Sequence, residues 1–219
     1  MLGRDLVAAA EAAGHETHAW DLPEVDITDA AATRDAVAAL RPDAVINCAA
    51  FTDVDGAEAR EDVATTINAA GAGNVAAAAA AAGAHVTQIS TDYSFDGTAT
   101  EPYTESSPTS PLGAYGRSKL KGEVAVAEAG SPEFAIVRSA WLFGPHGKNF
   151  VDTMLRLGAE RDEVAVVDDQ IGCPTYVGHL APALVTIAEQ RLTGVVHVAG
   201  GGSCSWHDLA VAAFERTGT

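Results

Sequence analysis

The sequence has few basic residues and no long apolar runs. Its 219 residues include 13 Lys and Arg against 30 Asp and Glu, which gives a formal net charge of −17. Nucleic acids and anionic membrane surfaces attract proteins through basic patches, so this balance argues against both as partners. No stretch reaches the roughly 20 apolar residues of a membrane span. The first residues also lack the basic and apolar regions of a secretory signal peptide.

Cysteines are scarce and histidines are scattered. The three cysteines, Cys48, Cys173 and Cys204, are isolated, and no C-x-x-C pair occurs. An odd, dispersed set is not a disulfide framework, which favours a reducing, cytoplasmic location. Cys48 follows an apolar strand and is expected to be a small core residue. The seven histidines form no H-E-x-x-H pattern, so the sequence predicts no metal site.

Short apolar segments alternate with longer helical ones along the chain. Strands are predicted at residues 15–20, 43–47, 86–90, 134–138, 164–167 and 195–198. Helices are predicted at residues 2–13, 30–40, 58–82, 115–129, 150–160 and 180–190, with a last helix beginning near Ser205 or Trp206. Strands separated by helices of ten or more residues indicate βαβ units. The sequence therefore predicts an α/β fold, a doubly wound and mostly parallel sheet of the Rossmann type.

Glycine and proline interrupt the last third of the chain, from about Leu142 onward. We therefore expect two parts. Residues 1–141 would form a dinucleotide-binding domain, and residues 142–219 a smaller, partial substrate-binding lobe interleaved with the last strands of the sheet.

The most specific pattern lies between Ser90 and Lys119. Thr91 follows the apolar run Val86–Ser90, and Tyr115 and Lys119 are spaced i, i+4 in a predicted helix. This spacing puts the phenol and the ammonium group on one helix face, about 5–6 Å apart at Cβ. A nearby ammonium group favours the phenolate and lowers the phenol pKa from its usual value near 10. The three side chains could therefore protonate a carbonyl oxygen while a cofactor delivers hydride.

A Tyr four residues before a Lys also occurs on ordinary helix surfaces. Here the pair follows a strand ending in hydroxyl residues and a loop rich in Gly, Pro, Ser and Thr, at residues 95–111. That order of strand-end hydroxyl, loop and Tyr–Lys helix is the layout of the short-chain dehydrogenase/reductase superfamily.

Further segments, in family order, resemble the dTDP-4-dehydrorhamnose reductases, which are extended short-chain reductases. They are residues 2–6, 25–29, 41–47, 49–55, 89–93, 95–97, 115–119, 138–141, 149–151, 168–175 and 205–208. The resemblance covers nearly the whole chain. It implies reduction of the C4 keto group of dTDP-4-dehydrorhamnose to dTDP-L-rhamnose, with NADPH or NADH as cofactor, in nucleotide-sugar and cell-surface polysaccharide biosynthesis.

The resemblance also implies roles for individual residues. Tyr115 would protonate the C4 oxygen, and Thr91 would hydrogen-bond the carbonyl. Lys119 would bind the nicotinamide ribose and lower the Tyr115 pKa. The cofactor-binding residues would be Gly3, Asp26, Ile27, Ala49, Ala50, Phe51, Thr52, Ser90, Tyr115 and Lys119. The substrate-facing residues would be Val54, Thr91, Asp92 and Trp141.

Some of these assignments have alternatives in the sequence. Trp141 is equally well explained as a core aromatic, and Asp26 as the cap of the following helix. Asp21 could accept a ribose hydroxyl and favour NADH, so the choice between NADPH and NADH stays open. Related dehydratases carry an acidic residue directly after the position of Asp92. Tyr93 stands there instead, which favours simple reduction.

The beginning of the chain departs from the family pattern. A dinucleotide fold opens with a strand and G-x-x-G-x-x-G, and Gly3 matches only the last of these glycines. We therefore expect a chain truncated at both ends, without the first strand and most of the glycine-rich loop, that binds NAD(P)H poorly. Two alternatives stay open, a non-catalytic regulatory subunit of a methionine adenosyltransferase-like partner and an inactive fragment. The oligomeric state is open too, with a homodimer as a candidate.

Overall fold

The computed structural model describes residues 1–218, and a four-stranded parallel sheet lies at its centre. The strands of the protein are β1 (Ala44–Asn47), β2 (His85–Thr91), β3 (Phe134–Ser139), β4 (Leu142–Phe143), β5 (Ile171–Gly172), β6 (Thr175–Tyr176), β7 (Gly194–His197) and β8 (Cys204–Ser205). The central sheet has the order β1-β2-β3-β7, and all its neighbours are parallel. The carboxyl ends of its strands therefore meet at one edge.

Helices of 5 to 15 residues alternate with these strands. They are α1 (Leu2–Ala12), α2 (Ala30–Leu40), α3 (Val54–Ala59), α4 (Glu61–Thr65), α5 (Ala72–Ala82), α6 (Ala114–Glu128), α7 (Phe150–Glu160), α8 (Val177–Glu189) and α9 (Trp206–Thr217). A π-helical segment, Thr66–Gly71, joins α4 to α5. Asp29 caps α2 by accepting hydrogen bonds from the backbone of Ala31 and Ala32.

Both faces of the sheet are covered. On one face, α1 and α8 bury apolar residues such as Leu6 and Leu184 against Val137 of β3. On the other face, the alanine-rich α5 and the helix α6 pack over β2, with Val126 of α6 fully buried. The predicted α/β class and doubly wound, mostly parallel sheet are thus confirmed.

The seven alanines at residues 76–82 belong to α5, as their high helix propensity predicts. Ala76 and Ala79 are completely buried. Their small side chains let the helix lie close to the sheet and to α6. Gly83 ends the helix with φ of +71°, a left-handed conformation that glycine adopts without strain.

Two predicted strands are wrong. Residues 15–20 and 164–167 have no regular secondary structure. An extended segment becomes a strand only when a neighbouring strand supplies hydrogen-bond partners, and neither segment joins a sheet within residues 1–218. In the segment 164–167, the Val167 carbonyl accepts a hydrogen bond from the backbone amide of His207, which is not in a strand.

Two small sheets follow β3. In one, β4 pairs with β6 in parallel, and in the other β5 pairs with β8 antiparallel. The strand β7, which comes later in the chain, returns to the central sheet beside β3. The division into parts at residues 141 and 142 stays a prediction. Within residues 1–218, every helix is too short or too polar to cross a membrane.

Gly122 of α6 lies directly against the backbone of the π-helical segment. A Cβ at this position would lie 2.1 Å from the backbone oxygen of Asn68 in the π-helical segment. Alanine normally favours a helix over glycine by about 1 kcal/mol. Here we expect Gly122→Ala to lower the free energy of unfolding by about 1–3 kcal/mol, because overpacking outweighs propensity.

Urea denaturation would measure the change, with Gly3→Ala in α1 as the matched control. A Cβ at Gly3 would meet no atom within 4 Å, so this variant should be unchanged or slightly stabilised. Equal stability of the two variants would contradict the packing explanation.

Candidate active site

The hydroxyl of Thr91 lies at the carboxyl edge of the central sheet, where β2 ends. The chain turns there through a short 3-10 helix, Asp92–Ser94. Thr91 Oγ1 accepts from the Tyr93 amide at 3.2 Å and donates to Asp92 Oδ1 at 3.1 Å. These bonds hold the hydroxyl and the carboxylate side by side at the strand end.

The helix α6 brings Tyr115 to the same place. It begins at Ala114, whose backbone amide donates to Glu58 Oε1 at 2.7 Å. The Tyr115 phenol interacts with the Thr91 hydroxyl, and its ring meets the Tyr93 ring edge to face, with centroids 5.8 Å apart. The structure therefore brings together Thr91, Asp92 and Tyr115.

Tyr115 holds its proton strongly. Burial raises the pKa of its phenol to about 12, the negative charge of Asp92 adds to the increase, and the hydrogen bond with Thr91 opposes it. The sequence-based prediction was the reverse, a pKa lowered by Lys119. It is wrong in direction, because the dominant influences on the phenol are burial and a carboxylate.

Lys119 lies one turn further along α6, deep in the protein. The residue is 4% exposed, and its Nζ donates to the Ile89 carbonyl of β2 at 2.7 Å. Burial lowers its pKa to about 8, against the opposing influence of Glu123 and then Cys48. The ammonium group is thus fixed by β2 and borders the edge that holds Thr91 and Tyr115.

Cys48 follows β1 near this ammonium group. The residue packs against the core of α1 and α8, as expected from the apolar run before it. Burial raises the pKa of its thiol to about 11. A thiol that stays protonated at neutral pH is a poor nucleophile, so the residue serves packing.

The segment 49–52 follows β1 at the same edge. Asn68, in the π-helical segment, holds it: Asn68 Oδ1 accepts from the Phe51 amide at 2.8 Å, and Nδ2 donates to the Phe51 carbonyl at 3.1 Å. Nδ2 also donates to Ser118 Oγ of α6 at 2.8 Å. Phe51 and Tyr115 pack against one small apolar cluster. Of the four predicted cofactor residues Ala49, Ala50, Phe51 and Thr52, Phe51 therefore has the clearest link to Tyr115.

The other predicted cofactor residues have different surroundings. Asp26 is exposed, and two hydrogen bonds from Thr28 lower its pKa. Because Asp29 caps α2, the alternative that Asp26 is that cap is wrong. Ile27 packs against α5. Gly3 lies in the first turn of α1, with open space where a Cβ would stand.

The Lys119 ammonium group and the start of α1 are the groups at this edge that could bind a dinucleotide. An ammonium group has three N–H donors. Among residues 1–218, the Ile89 carbonyl is the hydrogen-bond acceptor found for Lys119. The remaining donors suit the hydroxyls of a ribose, and the open space at Gly3 leaves the start of α1 accessible to a phosphate. Lys119 and the start of α1 therefore fit the ribose and phosphate parts of a nicotinamide dinucleotide, and the expected poor binding stays a prediction.

Trp141 belongs to an aromatic cluster. Its ring stacks on Trp206 with centroids 3.5 Å apart, and Trp206 also contacts Phe150 at 4.5 Å. The indole covers Gly172 so closely that a Cβ there would lie 2.4 Å from Trp141 Cε2. These contacts favour the packing interpretation of Trp141. Its contact with substrate, like that of Val54 at the start of α3, stays a prediction.

Sequence reasoning missed three polar residues at this edge. Asn68 holds the 49–52 segment, and Glu123 of α6 forms a buried ion pair with Arg138 of β3. Glu123 follows Lys119 by four residues, so extending the Tyr–Lys spacing by one turn could have found it. No local pattern marks Asn68 or the pairing of Arg138. In the described part of the chain, no group of three or more His, Cys, Asp or Glu is arranged to hold a metal ion.

Comparisons with known proteins identify the family of this chain. The family model described as RmlD substrate binding domain matches residues 1–219. The chain is 46% identical over 224 residues to a dTDP-4-dehydrorhamnose reductase of Mycobacterium tuberculosis, covering 100% of this chain and 73% of that protein. It is 43% identical to a dTDP-4-keto-6-deoxy-D-glucose reductase of Streptomyces niveus, covering 100% of this chain and 76% of that protein.

Solved structures have the same fold. The crystal structure of a dTDP-4-dehydrorhamnose reductase from Bacillus anthracis in complex with NADP aligns with a TM-score of 0.96 and 42% identity. The alignment covers 100% of this chain and 77% of that one. The fold, the matching family model and the identity to these relatives lead to one assignment. The chain belongs to the dTDP-4-dehydrorhamnose reductase family of NAD(P)H-dependent oxidoreductases.

Proposed function

We propose that this protein reduces the C4 keto group of dTDP-4-dehydrorhamnose to dTDP-L-rhamnose, with NADPH or NADH as the reductant. The observation that carries the proposal is the meeting of Thr91, Asp92 and Tyr115 at the carboxyl edge of the sheet, with the Lys119 ammonium group behind them. The reductase names of the relatives favour this catalytic interpretation over a non-catalytic regulatory subunit.

Tyr115 supplies the proton in this proposal. With a pKa of about 12, its phenol is fully protonated at neutral pH. It gives up the proton only to a strong base, such as the alkoxide that develops on the C4 oxygen as hydride arrives. Thr91 interacts with the same phenol, and its hydroxyl would turn from Asp92 to donate a hydrogen bond to that oxygen as well.

Lys119 and the 49–52 segment would hold the cofactor, and Gly3 would border its phosphates. The cofactor, when bound, supplies the hydride. The ammonium group of Lys119 is positive at pH 7 and is anchored by Ile89, so it would orient a ribose without itself moving. Burial thus gives the two helix residues separate tasks, proton donation by Tyr115 and binding by Lys119.

The substrate in this proposal is a nucleotide sugar that enters at the edge beside Asp92 and Tyr93. Val54 and Trp141 are further candidate contacts. A cytoplasmic location and a homodimer stay predictions. Which 6-deoxy sugar is preferred also stays open, because the named relatives include reductases of two related 4-keto sugars.

Removal of the Tyr115 hydroxyl tests the proton donor. We expect Tyr115→Phe in the full chain to lower kcat by about 10²–10⁴-fold, the usual contribution of a general acid. The loss of NADPH absorbance with dTDP-4-dehydrorhamnose measures the rate. Tyr176→Phe is the matched control, since Tyr176 is exposed and its ring meets that of His179 edge to face. A Tyr115→Phe enzyme that keeps more than about a tenth of the control rate would refute the acid role.

Removal of the Asp92 charge tests the cause of the high Tyr115 pKa. The carboxylate of Asp92 raises that pKa, so Asp92→Asn should lower it. A spectroscopic titration of tyrosinate at alkaline pH would record the change, with Tyr115→Phe identifying the signal. Asp55→Asn is the control, because the Asp55 carboxylate acts on Tyr93, whose pKa is raised by burial, then by Asp92 and then by Asp55. An unchanged or higher Tyr115 pKa in Asp92→Asn would contradict this account.

A further inference from the structure

A single buried carboxylate connects three elements at the edge of the sheet. Glu123 of α6 is 5% exposed. Its Oε1 accepts from Ser90 Oγ at 2.5 Å, from Ser94 Oγ at 3.3 Å and from Arg138 Nε at 2.9 Å. Its Oε2 accepts from Arg138 Nη2 at 2.6 Å. The carboxylate thus binds the end of β2, the turn that follows it and β3.

The two serines stand on either side of the candidate catalytic segment. Ser90 precedes Thr91 and Asp92, and Ser94 follows them by two residues. Ser90 is 5% exposed and Ser94 is completely buried, so water does not compete for their hydroxyls. Because one carboxylate oxygen bonds both serines, it fixes both ends of the short segment 91–93.

Glu123 also lies on the face of α6 that carries the site. It follows Tyr115 by eight residues and Lys119 by four, and this spacing puts the three side chains on one side of the helix. The Lys119 ammonium group bonds Ile89, the residue directly before Ser90. The helix α6 therefore holds two adjacent residues at the end of β2. The Lys119 ammonium group bonds Ile89, and the Glu123 carboxylate bonds Ser90.

Arg138 offsets the free-energy cost of burying the Glu123 carboxylate. A buried carboxylate without a partner costs several kcal/mol, whereas a bidentate guanidinium compensates its charge. The register of the sheet sets Ser90 opposite Arg138, so both reach Glu123 from neighbouring strands. Lys119 on α6 and His197 on β7 are the other ionisable groups whose charges interact with Glu123.

We propose that Glu123 is a positioning residue of the reductase site: its carboxylate holds the segment carrying Thr91 and Asp92 against the helix carrying Tyr115 and Lys119. This inference rests on the proposed function. It predicts that the serine–carboxylate bonds matter for the rate of the chemical step, since a displacement of about 1 Å at a catalytic group can reduce the rate by about 10²-fold.

The test removes the two hydroxyls and leaves the ion pair intact. Glu123→Gln would leave the Arg138 guanidinium buried without a carboxylate and could prevent folding. The variant Ser90→Ala/Ser94→Ala avoids this problem. Ser131→Ala is the matched control, because Ser131 is also buried (7% exposed) but bonds only the backbone of Glu133, at the amino end of β3.

We expect the double variant to lose at least about tenfold in kcat relative to Ser131→Ala, with a smaller change in KM for NADPH, because Lys119 is untouched and the Ser90 hydroxyl bonds Glu123. Amide hydrogen exchange of residues 91–94 should accelerate by about tenfold, because the two hydrogen bonds that hold the ends of this segment are lost. A kcat within about twofold of the control would overturn the proposal, and so would unchanged exchange.

Hydrogen exchange separates this inference from the proposed function, since it needs neither substrate nor cofactor. If the wild-type chain fails to oxidise NADPH but exchange accelerates in the double variant, the reductase assignment fails. The result would still support the proposal that Glu123 holds residues 91–94 in place. If the wild type is active and the double variant matches Ser131→Ala in both measurements, the reductase assignment survives and the positioning role is refuted.

Discussion

A carboxylate removed from water must find cations and hydrogen-bond donors close by, and this demand organises the carboxyl edge of the central sheet. Glu123 meets it with a guanidinium group from β3 and with hydroxyls from the end of β2 and the turn that follows it. The one carboxylate therefore links the helix α6 to two strands at once. Thr91 and Asp92 lie at the same strand end as these contacts, and Tyr115 and Lys119 lie on the same helix face.

Burial has opposite consequences for the two side chains that share this helix face. Loss of water disfavours whichever form is charged, so it raises the pKa of a phenol and lowers that of an ammonium group. Tyr115 therefore keeps its proton, while Lys119 moves towards neutrality and stays mostly charged at pH 7. The division of labour in a reductase site follows from this one effect. A phenol that keeps its proton is a donor, and an anchored cation is a binding group.

Patterns that depend on neighbours in the sequence were predicted well. The alternation of strands and helices gave the parallel sheet, and the i, i+4 spacing placed Tyr115 and Lys119 on one face beside Thr91. Long-range contacts were not predicted. The direction of the Tyr115 pKa shift depends on burial and on the Asp92 carboxylate, while the Ile89 carbonyl holds the Lys119 ammonium group. Residues 15–20 have a strand-like composition, but strand formation needs a paired neighbour, which no local pattern supplies.

The aromatic stack behind the site has an optical consequence. Two of the three tryptophans, Trp141 and Trp206, lie face to face with their rings 8° from parallel, while Trp20 is 41% exposed. Stacked indoles share their electronic excitation, and Trp206 belongs to α9 whereas Trp141 follows β3 directly. The near-ultraviolet circular dichroism of this chain should therefore be dominated by one indole pair, whose signal reports whether the last helix is docked.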